Sequence, residues 1–160
     1  MRKLIPLASV IAIAGALAAG GIASTAAAQA KTSKVTCNYT AYNPTPLQPS
    51  GVVVGFIKCS QPFGEGVVSG TYSATFDPNT GAGTATGRWT KWFLDGTVHG
   101  RFSETFQFTS HTDATYKESL TVTGGTGAYD GVKGTASDSC STINGGATLT
   151  CTAVGEDTGL

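Results

Sequence analysis

After residue 31 no segment of the chain keeps an apolar repeat of 3.6 residues. Short runs alternate apolar and polar side chains instead, each ended by turn residues. Alternation with period two puts successive side chains on opposite faces of an extended strand, so this part of the chain reads as all-β. The turns are specific. Asp77-Pro-Asn-Thr-Gly81 separates GTYSATF from AGTATGRWTKWFL, and Asp95-Gly96 separates that run from TVHGRFSETFQFTS. Asp-Gly is a strong two-residue hairpin signal because both central positions favour positive φ. Asn144-Gly-Gly146 marks a further turn, and the three prolines between Asn43 and Gly51 mark a loop. The expected strands are 33–42, 52–59, 66–76, 82–94, 97–110, 114–123, 134–142 and 147–154. Eight hairpin-linked antiparallel strands close naturally into a barrel, which leaves no exposed edge.

The first thirty residues read differently. Arg2 and Lys3 precede an Ala-rich apolar run, and Ala28-Gln-Ala30 supplies the small residues of a cleavage site. Residues 1–30 are therefore expected to be a signal peptide cut after Ala30, leaving one β-barrel domain over 31–160. The expected location is the periplasm or the exterior. Without Arg2 and Lys3 the chain holds eight basic residues against ten acidic ones, with no basic stripe. That balance excludes an electrostatic footprint for nucleic acid, and it offers no attraction to an anionic membrane.

Cys37, Cys59, Cys140 and Cys151 all follow the leader. An even count in an exported chain points to disulfides. Three pairings are possible. Cys37–Cys59 and Cys140–Cys151 are favoured because each pair brackets one hairpin. No spacing of metal-ligand type occurs, so no metal is expected.

The glycine-rich stretch GGTGAYDGVKGTA, from Gly124 to Ala136, raises the question of a phosphate loop. Such a loop needs a helix behind it to present free N–H groups. A strand follows instead, so no nucleotide cofactor is expected and the stretch reads as a tight turn. TVTGGTGAYDGVKGTAS, Thr121 to Ser137, resembles a glycine-rich stretch of the allene oxide cyclase-like barrels, the group that includes plant dirigent proteins. The resemblance implies an eight-stranded antiparallel barrel with an apolar lumen, often assembled as a homotrimer. It carries over no catalytic residue.

Two acids stand in the apolar phase. In TVHGRFSETFQFT the inward set is Val98, Gly100, Phe102, Glu104, Phe106 and Phe108, and in TYKESLTVT it is Tyr116, Glu118, Leu120 and Val122. A turn centred near His111 sets Glu104 directly across from Glu118; one near Thr112 sets them diagonal. Their Cβ atoms are then about 5 Å or about 7 Å apart. A two-residue Asp95-Gly96 loop would place Phe93 opposite Val98, Lys91 opposite Gly100, Trp89 opposite Phe102 and Gly87 opposite Glu104. Gly87 would leave space before Glu104, with Tyr72 and Gly70 on the same inner face. Trp92 and Leu94 fall outward. His99 and His111 fall in the polar phase, so no Ser-His-Asp arrangement is available.

Three readings fit this pattern. In the first the barrel binds a small apolar or aromatic molecule against Tyr72, Trp89, Lys91, Phe102, Phe106 and Tyr116. In the second it is a cyclase, isomerase or dirigent-type enzyme in which Glu104 and Glu118 are the catalytic acid/base pair. In the third the lumen is filled by its own side chains and the protein is structural. A cavity above about 300 Å³ favours the first two.

Overall fold

The computed structural model describes residues 32–160. The expected leader, 1–30, lies outside them. Eight antiparallel strands follow in chain order: β1 (Thr32–Tyr42), β2 (Ser50–Cys59), β3 (Glu65–Phe76), β4 (Ala82–Phe93), β5 (Gly96–Phe108), β6 (Ala114–Gly127), β7 (Lys133–Ile143) and β8 (Thr148–Thr158). Each pairs with its neighbours, and β8 returns to β1 to close the barrel. The buried apolar residues of the strands lie in the inward phase, as the alternation requires, while Phe56 and Val54 on β2 and Trp92 on β4 face outward. Both expected disulfides are present, each bridging two residues directly opposite across a hairpin, Cys37–Cys59 between β1 and β2 and Cys140–Cys151 between β7 and β8.

The two ends of the barrel differ. At one end the glycine-rich stretch folds inward as a plug. Tyr129 is 2% exposed and Val132 is fully buried. Tyr129 packs on Phe63 and Phe93, with ring centroids 4.9 and 5.7 Å away. Gly127 and Gly131 flank this turn at φ of +64° and +80°, a conformation that side chains resist. Thr123 is left unpaired by a bulge in the β5–β6 ladder, two residues before Gly125, whose missing Cβ lets the Tyr129 carbonyl approach. The glycines thus serve a bend and a close contact, in line with the reading as a turn. At the other end the loops 43–49, 77–81, 109–113 and 144–147 ring an open mouth.

One expected register is wrong. The β4–β5 turn consists of Leu94 and Asp95, and Phe93 pairs with Gly96. Lys91 therefore faces Val98, Trp89 faces Gly100, Gly87 faces Phe102 and Ala85 faces Glu104. The cause is tertiary. Gly96 lies against β6, where a Cβ would sit 2.0 Å from the Thr126 carbonyl oxygen, and Ala128 N–H donates to the Asp95 carbonyl at 2.9 Å. The plug claims the Asp-Gly pair that the hairpin rule had assigned to the turn. The slip moves the pairing by two positions, so every side chain keeps its face.

Candidate functional site

The inner glycines place the aromatic rings. A Cβ at Gly87 would lie 2.4 Å from the Phe102 ring, one at Gly83 2.2 Å from the Phe106 ring, and one at Gly100 2.5 Å from the Trp89 ring. Each ring lies flat across the glycine opposite it, so the wall is aromatic without being thick. The space expected before Glu104 at Gly87 is therefore filled by Phe102. Gly70 is the exception: a Cβ there meets nothing closer than 3.4 Å.

What the flattened rings leave free is a cavity of about 520 Å³ that opens at the mouth. Tyr72, Trp89, Lys91, Phe102, Phe106 and Tyr116 all line it, as do Glu104 and Glu118. The lumen is not filled by its own side chains. Tyr72 stands near the rim, accepting from Asn43 Nδ2 at 3.0 Å and donating to the Thr45 carbonyl at 3.3 Å. Trp89 is held by its indole N–H, which donates to the Arg101 carbonyl at 3.2 Å. Lys91 lies over the Trp89 ring, its Nζ 4.7 Å from the centroid. His111 sits exposed at the mouth, and His99, Trp92 and Leu94 point outward.

Glu104 and Glu118 are direct cross-strand partners, the geometry expected of a turn centred near His111. Both side chains face the same cavity. Burial is the main force that pushes both out of the ordinary carboxylate range, upward. For Glu118 the adjacent Glu104 charge adds to it. Two carboxylates this close in a poorly solvated wall share a proton. Glu118 Oε1 also lies 3.6 Å from Cys140 Sγ, a packing contact, since the disulfide sulfur has no proton to give.

The polar cluster continues beyond the expected pair. Asp138, across from Glu118 on β7, is 2% exposed and accepts a hydrogen bond from the Tyr39 hydroxyl. Its second oxygen, Oδ1, has no partner among the described residues. Asp157 on β8 is 7% exposed, in space left by Gly134 opposite. Burial raises both of these acids, and Lys91 opposes the rise. Lys91 is itself pushed down by burial, against the pull of Asp138, Asp157 and Glu118. Burial likewise raises the Tyr39 hydroxyl well above its usual range and carries Tyr116 to about 12. Sequence reading missed Tyr39, Asp138 and Asp157. The signal was there: Asp138 shares the phase of Cys140, and Asp157 that of Cys151 and Ala153, the buried cysteines marking the inner face.

Asp138 also lies near Cys140 and Cys151, but the disulfide leaves those sulfurs without the thiolate a metal needs. The chemistry available is that of an aromatic-lined chamber, open at one end, with two neighbouring acids in its wall and one amine at its floor.

No protein-family model matches the chain, and no curated protein matches it. Among solved structures it is similar to a pyocyanin demethylase, at 17% identity and a TM-score of 0.39, over 78% of this chain and 99% of that one. A likeness at that level says nothing about activity.

Proposed function

We propose that the protein is an exported barrel that takes up a small, mostly apolar aromatic molecule through its open mouth. The observation that carries this reading is the 520 Å³ cavity, a size in the range of small-molecule sites. Its make-up supports the reading too: aromatic rings line the walls, with the two acids and Lys91 deeper in and polar loop residues at the mouth. Export is supported by the two disulfides, which suit an oxidising compartment. The likeness to allene oxide cyclase-like barrels belongs to the same proposal, supported by the closed barrel and its glycine-bounded plug.

Mass spectrometry of small molecules released from protein purified from its native host tests the reading. A stoichiometric aromatic compound is expected, and it should be absent from the Gly70→Phe variant, whose new ring enters the lumen. A wild-type protein that releases nothing, and whose tryptophan fluorescence ignores every aromatic compound offered, would end it.

One observation favours a second reading, an acid-catalysed cyclase or isomerase. Glu104 and Glu118 are cross-strand partners in the lumen wall, and a proton shared by such a pair is what general acid/base work requires. In that case Glu118→Gln keeps ligand affinity and loses turnover. Unchanged conversion by the variant would leave only binding.

A further inference from the structure

We infer that the lumen is built for an organic cation, a planar aromatic ammonium or quaternised nitrogen heterocycle whose positive charge sits between Glu104 and Glu118. The inference rests on the lumen-binding reading above and names the class of molecule.

The charges on the inner wall are lopsided. β5, β6, β7 and β8 bring in Glu104, Glu118, Asp138 and Asp157, while β4 brings in Lys91 as the one inward base among the described residues. Arg88, Arg101, His99 and His111 are all exposed. Tyr39 from β1, Tyr72 from β3, Tyr116 from β6 and His111 at the mouth complete the titratable groups lining the space, and the inner face of β2 carries none. Lys91 acts on Asp138, Asp157 and Glu118. Among the described residues Glu104 has no cation against it.

A shared proton is how such a pair survives without a counter-ion, and a bound cation does the same work. It would meet both carboxyl groups and displace the proton. Asp138 Oδ1, buried and without a donor, adds to the negative potential behind the pair. The walls suit the same guest. Aromatic faces attract positive charge, and Lys91 Nζ already lies over the Trp89 ring, 4.7 Å from its centroid. An anion would face the acid pair, with Asp138 and Asp157 buried behind it, and be disfavoured, whereas a neutral aromatic would gain the walls without a charge–charge attraction.

Three fluorescent probes of similar size separate these cases: N-methylacridinium, acridine (neutral near pH 8) and 1-naphthalenesulfonate. The cation is expected to bind at least about tenfold tighter than acridine near pH 8, and the sulfonate not at all. One proton released per cation bound means that its Kd rises about tenfold for each unit of pH lowered toward 6. Calorimetry in two buffers of different ionisation heat should read that proton directly. Asp138 and Asp157 lie deeper, so the assignment rests on the E104Q/E118Q double variant. Circular dichroism and a cooperative melt should show that it is folded, while it loses both the preference for the cation over acridine and the pH slope. Equal binding of cation and acridine by the wild type, or a slope that survives in the double variant, would overturn the inference and leave lumen binding standing. If no probe enters the wild type, the lumen reading fails and takes this one with it.

Discussion

Gly100 and Gly70 both face Trp89 from neighbouring strands, yet they do opposite things. Gly100 is where the indole lies, and a Cβ there would also come 2.1 Å from the Thr121 carbonyl oxygen. Gly100→Ala should therefore cost about 1–3 kcal/mol by overpacking. Gly70 has room, so Gly70→Ala should be neutral or stabilise by roughly 0.5–1 kcal/mol, since glycine weakens a strand interior. Urea denaturation of the two variants checks the contrast, and similar losses from both would contradict it. At the same scale Glu118 sets a pH dependence. Its folded form binds a proton more tightly than its unfolded form. Between the ordinary carboxylate range and its raised folded value the folded state holds the extra proton, so raising the pH through that window removes stability. Glu118→Gln lifts this burden. The variant should match the wild type near pH 4 and exceed it by about 1–3 kcal/mol near neutral pH. A gap between the two melting curves that stays constant with pH would refute this.

The plug shows best what an element's sequence reveals and what it hides. Tyr129 closes the barrel base against Phe63 and Phe93, but its hydroxyl is buried with no partner among the described residues. Tyr129→Ala should cost about 3–5 kcal/mol. Tyr129→Phe should cost nothing, or stabilise, because it removes an unsatisfied polar group. Thermal melts of the pair would expose a hidden hydroxyl partner if the Phe variant were destabilised. The glycines made this segment legible as a bend, since bending is a local property. Its destination was not legible, because Tyr129 finds its neighbours on β2–β3 and β4, far off in the chain. The same division runs through the site. Alternation within β5 and β6 turned Glu104 and Glu118 inward and left them across from each other or diagonal, and the register found is the direct one. In β4–β5 the local turn rule lost to the plug, and Gly87 came to face Phe102 instead of Glu104. Asp138 and Asp157 escaped notice because their strands are full of Ser and Thr. There the inner phase is marked by cysteine and alanine, not by large apolar residues.

At the scale of the whole molecule, closure depends on β1, which must hold β2 on one side and β8 on the other. The two ladders are unequal. β1 pairs with β8 from Thr32 to Tyr42, but with β2 only from Cys37 to Tyr42. Cys37–Cys59 sits at the point where β1 and β2 part, and Cys140–Cys151 lies within the β7–β8 ladder, which runs from Lys133 to Ile143. The first also closes the longer loop, 22 residues of separation against 11. Loop entropy alone makes it more stabilising by about 0.6 kcal/mol. Position adds to that. Without the Cys37–Cys59 bond the short ladder can fray from its open end toward Tyr39, which anchors Asp138 beneath the acid pair. C37A/C59A should lower the urea midpoint more than C140A/C151A does. It should also speed amide exchange along 37–42 and 54–59 while β4–β6 stay protected. Equal loss of protection around the whole barrel would mean that closure is held evenly and that β1–β2 is no weak seam. Exchange confined to that seam would identify it as the part of the wall that opens first, on the side of the lumen where Tyr39 stands.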